Sequence, residues 1–132
     1  MSRTADNWRT LRKEDGEVLL ARLRWCARFW CKLRGLMLRA ALPPDEGLLF
    51  VYGRESILET SIHMLFMRIP IAVFWLDSNG IVVDKKLARP WQLALAPQRP
   101  AQYVLEAPPA LLDRVMIGER LTFDQTTGGG PA

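Results

Sequence analysis

The sequence predicts a mainly β domain, a compact β-sandwich or barrel with two short helices. Three observations predict it. Short runs rich in β-branched and aromatic residues recur along the chain, bounded by Gly, Pro, Asn and Asp. Asn79-Gly80 joins two of these runs and can take the positive φ angles that a tight hairpin turn requires. Helical periodicity is confined to two short stretches, so the pattern fits strands joined by Gly/Pro turns better than a parallel α/β sheet.

Each element follows from local sequence. Residues 1–16 are polar and carry both charge signs, and are read as a segment outside a domain that spans residues 17–124. "LARLRW" alternates apolar and charged residues as a half-buried strand does, which suggests a strand over residues 17–25. A helix is predicted over residues 28–39, because Arg24, Arg28, Lys32 and Arg39 share one sector of a helical wheel. Pro43 and Pro44 end it, and "LLFVY" (48–52) reads as a short buried strand. "SIHMLFM" (61–67) and "IAVFWLD" (71–77) read as two strands separated by a break at Pro70. Across the hairpin lies "IVVDKKL" (81–87), with Asp84 and Lys86 on a wet face. Pro90, Pro97 and Pro100 make residues 88–100 a long irregular connection. "QYVLEA" (102–107) is a further strand, Pro108 and Pro109 open the short helix "PALLDRVM", and "ERLTF" closes the fold. The tail from 125 to 132, with its three consecutive glycines, has nothing to bury and is expected to be flexible.

Composition excludes several functional classes. A chain of 132 residues, 49% hydrophobic and 24% charged, is an ordinary globular domain that needs no staple. Its two cysteines, Cys26 and Cys31, would point away from each other on one helix, and are expected as reduced, half-buried thiols. One histidine leaves a structural zinc site short of ligands, and neither a metal nor a cofactor is expected. The polar N-terminus lacks the apolar core of a signal peptide, which points to the cytoplasm. Residues 62–76 are apolar but too few to span a bilayer, and Arg68 and Pro70 interrupt them.

Polar residues inside that apolar run are the candidates for chemistry. His63 and Arg68 must each satisfy their polar atoms or reach solvent, and a ligand site of His63, Met67, Arg68 and Glu106 is the leading expectation. Residues 63 and 68 face opposite sides of a regular strand, so only a kink before Pro70 would bring them together. The reading is a binding or accessory module for an unidentified small ligand or protein. One alternative is a small hydrolase with His63 as base, although no recognisable nucleophile stands beside it. Another is docking on nucleic acid or an anionic membrane through residues 22–39. Residues 1–40 hold ten Lys/Arg against four Asp/Glu, and Arg24, Arg28, Lys32 and Arg39 would form the basic surface, with Trp25 and Trp30 flanking it.

Four pieces of the chain together resemble one family, DUF192, also known as UPF0127. They are "KLRGLMLRAALPPDEGLLFVY", "SIHMLFMRIPIAVFWLDSNGIVV", "LARPWQ" and "YVLEAPPALLDRVMIGERL". The resemblance implies a compact β-sandwich of jelly-roll type with small helices, and it implies no chemistry. Ala72 stands where the family pattern carries Asp, and Glu119 follows Gly118 where Gly-Asp is usual.

Overall fold

The computed structural model describes residues 8–125, apart from the side chains of Trp30, Asp124 and Gln125. The polar residues 1–7 and the glycine-rich tail 126–132 lie outside the described residues. The strands are β1 (Trp8–Lys13), β2 (Val18–Cys26), β3 (Glu46–Ser56), β4 (Ile71–Leu76), β5 (Val82–Ala88), β6 (Ala101–Ala107) and β7 (Leu121–Gln125). A six-residue α-helix, α1 (Phe29–Arg34), follows β2, and a 3-10 helix spans Pro109–Asp113.

All seven strands join one sheet in the order β5-β4-β6-β3-β2-β1-β7. Every pairing is antiparallel except β2 with β3, and a parallel pair needs a long crossover, here residues 27–45 with α1 inside it. The sheet curls into a half-barrel, and its two edges meet at one end. Ile81 bridges Arg120, Val82 N–H donates to Glu119 O at 2.9 Å, and Leu121 N–H donates to Gly80 O at 2.9 Å.

Alternation of side chains gives the sheet two apolar faces. One core joins Leu11, Leu20, Leu49, Phe74, Val82, Leu105 and Leu121. It draws on both edge strands and the middle, so it fills the concave side, and Leu111 of the 3-10 helix plugs it. The other core carries Phe50, Val73, Trp75 and Val104 from the sheet, covered by Leu36, Ile62, Met64, Met67 and Leu95 from the loops. All six residues of β4 are buried, as a strand covered on both faces requires.

The mainly β expectation stands, but the second layer is loop and helix where a sandwich would have a second sheet. Residues 8–13, read as a polar lead segment, form β1, whose Leu11 is fully buried while its charged side chains stay partly exposed. "SIHMLFM" is not a strand. Only Ile62 pairs, with Leu95, and a turn at Leu65-Phe66 follows, because the segment caps the convex core instead of extending the sheet.

The cysteine expectation is overturned. Cys26 ends β2 and Cys31 lies in α1, so they do not share a helix; their Cα atoms are 5.7 Å apart and they form a disulfide. The bond pins the start of the crossover to the sheet. A loop this short limits the chain-entropy stabilisation to about 2 kcal/mol. Thiol titration in denaturant without reductant is expected to find no free thiol, and Cys31→Ser is expected to lower stability by about that amount, checked by denaturant unfolding.

Gly80 tests the closure of the half-barrel. It has φ +80°, and a Cβ there would stand 2.7 Å from the Leu121 carbonyl oxygen, a backbone atom held by the edge-to-edge bond. Gly80→Ala is expected to destabilise by about 1–3 kcal/mol in denaturant unfolding.

Candidate functional site

Strand β6 carries the site's central group. Glu106 pairs in register with Val73 of β4 and Leu48 of β3, deep within the sheet. Leu105 and Ala107 turn to the concave core, so Glu106 faces the convex side with Val104. There it is 5% exposed, and among the described residues no donor hydrogen-bonds its carboxyl. Burial pushes its pKa up to about 8, so the group is a neutral acid at pH 7.

The backbone that follows α1 roofs it. Gly35 has φ +49°, and a Cβ there would lie 3.3 Å from Phe50 Cζ and 3.7 Å from Glu106 Oε1. A cavity of about 70 Å³ remains beside the carboxyl, lined also by Lys32, Tyr52, Ser61, His63 and Met67. It has room for a few water molecules or one small polar group. Burial, reinforced by the charges of Glu106 and Glu59, raises the Tyr52 phenol to about 12. Burial also lowers the Lys32 pKa against the opposing pull of Glu59, and its ammonium rests 4.0 Å from the Tyr52 ring centroid.

His63 is half-buried, and its Nδ1 accepts the Leu65 N–H at 3.2 Å. With Nδ1 accepting, the ring's N–H donor is Nε2. Ser61 Oγ donates to Ile57 O at 2.9 Å and not to the imidazole, and both cysteine sulfurs are tied in the disulfide. No Ser or Cys side chain is hydrogen-bonded to the His63 ring among the described residues. Of the expected site, His63, Met67 and Glu106 share the cavity, while Arg68 lies outside it, exposed, beyond the turn at Phe66.

A second, larger cavity of about 420 Å³ lies across the 34–37 segment, which lines both. Arg24, Arg34 and Arg39 line it together with Glu46, which is buried and paired with Arg39 at 3.5 Å and Arg22 at 3.6 Å. The expected basic stripe is therefore divided. Arg24 is on a strand, Arg28 precedes α1, Lys32 borders the small cavity and Arg39 borders the large one, because α1 starts after Arg28 and ends at Arg34. Sequence reading missed Arg34, Gly35 and Tyr52; the "GLM" motif at Gly35–Met37 was the signal available for the roof. Ala72 pairs with Ala107 and belongs to the concave core, so the departure from Asp at that position falls on the opposite face from Glu106.

Loops around the cavities store backbone strain. Leu38, Phe66 and Trp91 are the non-glycine residues with positive φ among those described, at 64°, 62° and 67°. Each such residue costs on the order of 1–2 kcal/mol. Hydrogen bonds hold them in place: Leu38 N–H donates to Phe66 O at 2.9 Å, and Trp91 N–H to Met64 O at 2.8 Å.

A curled-sheet β domain with a buried acid under a glycine roof is the class defined by this geometry. The DUF192 family model, described as "Uncharacterized ACR, COG1430", matches residues 10–123, and the chain belongs to that family. It is 35% identical over 116 residues to a UPF0127 protein of Thermococcus sibiricus, covering 86% of this chain and 73% of the relative. It is likewise 35% identical over 112 residues to a UPF0127 protein of Pyrococcus furiosus, covering 83% of this chain and 93% of the relative. Among solved structures, the fold is similar to a protein of Sinorhizobium meliloti described as a "putative transcription regulator", with TM-score 0.76, 24% identity and coverage of 88% of this chain and 92% of that one. A protein of unknown function from Novosphingobium aromaticivorans matches with TM-score 0.72, 21% identity and coverage of 87% and 83%.

The raised Glu106 pKa fixes the sign of a pH dependence. The folded state holds the proton up to about pH 8 and the unfolded state releases it near pH 4.5, so this stabilisation is complete below pH 4.5 and lost as pH rises through 8. The loss has an upper limit of about 5 kcal/mol. Glu106→Gln removes it: the variant is expected to gain stability over wild type progressively from pH 5 to pH 8.5, read from paired denaturant unfolding curves.

Proposed function

We propose that this DUF192 protein is a non-catalytic binding module for a small acceptor-bearing ligand, such as the carboxylate end of a metabolite. The observation that carries the reading is the buried Glu106 carboxyl, without a protein partner among the described residues, on the wall of a cavity. At neutral pH the groups around that cavity are mostly donors. The Glu106 acid, the His63 Nε2–H, the Tyr52 hydroxyl and the Lys32 ammonium can all donate a hydrogen bond to an acceptor. His63, Met67 and Glu106 are the proposed ligand contacts, with Tyr52 and Lys32 added and Arg68 left out. The arginines of the adjoining cavity suit a second negative group on a longer ligand.

Hydrolysis with His63 as base has less support, because Ser61 is committed to Ile57 and both cysteines are bonded. No helix among the described residues is long and apolar enough to cross a membrane. The Cys26–Cys31 bond favours an oxidising compartment over the cytoplasmic placement expected from the polar N-terminus, since cytosolic thiol pools keep such pairs reduced.

Formate and acetate are small enough to probe the cavity. At pH 7 millimolar acetate is expected to shift the His63 ring signals in NMR. Glu106→Gln, which keeps a donor, should preserve the shift, and Glu106→Leu should remove it. For wild type the shift should fade as pH rises through 8 and Glu106 becomes a repelling anion. An equal response from Glu106→Leu would remove Glu106 from the site.

A further inference from the structure

Three loops meet above the convex core, and their exposed tips are apolar. Phe66 is 52% exposed, Trp91 56%, Leu38 66% and Leu93 74%. The Phe66 and Trp91 rings touch, with centroids 5.1 Å apart. Backbone bonds tie the loops into one platform: Leu38 to Phe66, Trp91 to Met64, and Met64 N–H to Gln92 O at 2.8 Å. Three of these four side chains occupy left-handed backbone, which L residues rarely adopt, so the chain holds large apolar groups outward at an energetic cost. Folding does not require such groups to be exposed, and clustered exposure of this kind marks an interaction surface.

Charge selects the occupant. Residues 36–44, 61–70 and 89–100, which form these loops, contain four arginines (39, 68, 89 and 99) and no Asp or Glu. Arg68 and Arg89 are exposed and their guanidinium groups have no partner among the described residues. Apolar tips flanked by the unpaired cations Arg68 and Arg89, on loops without Asp or Glu, are complementary to the interface of an anionic bilayer, where Trp and Phe sit at headgroup depth and Arg meets phosphate. Leu38 and Leu93 favour lipid over nucleic acid, because neither offers a ring on which a base can stack.

We propose that the Leu38–Phe66–Trp91 platform is a membrane-docking surface that seats the domain on anionic lipid. Docking through it sets the surface of the bilayer beside the ligand cavity, since His63 and Met67 flank the Phe66 turn and Met37 precedes Leu38.

Co-sedimentation of the full chain with vesicles tests this. Wild type is expected to bind vesicles of phosphatidylglycerol and phosphatidylcholine in equal parts at low salt, and to bind phosphatidylcholine vesicles at least about tenfold more weakly. The double variant F66N/W91N places at each strained position a residue that tolerates positive φ, so the fold should persist with an unchanged or raised Tm. Its affinity for the anionic vesicles should fall about tenfold or more. R68E/R89E should lose the preference for anionic lipid with Tm unchanged. Failure of wild type to bind either vesicle, or undiminished binding by both variants, would overturn the proposal. So would binding to a single-stranded oligonucleotide, abolished in both variants, with vesicles left unbound.

Discussion

A carboxyl group buried in the middle of a sheet is the constraint around which the rest of this structure is arranged. Glu106 sits on β6 with a ladder on either side, so its backbone cannot move toward water. Ionised and unpaired in that position, it would carry a desolvation penalty that few domains can tolerate, and the group escapes the penalty by holding its proton. A neutral acid still has hydrogen bonds to make. The glycine roof, the cavity and the donors around it form the site proposed to receive a ligand that supplies what the protein does not.

The architecture divides labour between the two faces of the sheet. The concave face is closed by its own curl and by the 3-10 helix, and it is wholly apolar in its described core. The cavity beside Glu106, the larger cavity that adjoins it and the strained non-glycine residues lie on the convex side, under loops. A sheet partner on that face would have satisfied its own backbone in a ladder and left little room for a cavity. Loops fill the layer less regularly, and the disulfide fixes where the first of them leaves the sheet. The loop that walls in Glu106 through His63 and Met67 also carries Phe66 at its tip, so the proposed ligand site and the proposed docking surface share one scaffold.

Strands with strong local signals were legible in the sequence. β4 and β5 follow from their β-branched runs and the Asn79-Gly80 turn, and Gly80 has the positive φ that the turn requires. β1 was not legible, because its charged residues hide a single inward Leu11, and its role depends on partners at the two ends of the chain, β2 and β7. "SIHMLFM" misled for the opposite reason: it has strand composition, yet it packs as a cap over the convex core. Glu106 and His63 could be singled out as polar residues in apolar surroundings. Their separation from Arg68 could not, since it depends on a turn at Phe66 that takes a backbone conformation no Phe predicts. The Cys26–Cys31 bond was hidden by placing both residues on one helix, when the first ends a strand.

The site turns on Glu106 being a neutral acid in the folded protein at neutral pH, and its carboxyl carbon can be watched directly. In a protein labelled with carbon-13 at glutamate side-chain carboxyls, with Glu106→Gln used to assign the signal, NMR titration is expected to place the Glu106 midpoint at about 8. A midpoint in the ordinary glutamate range near 4.5 would contradict it, because the carboxyl would then be ionised, solvated and no longer the organising centre of the site.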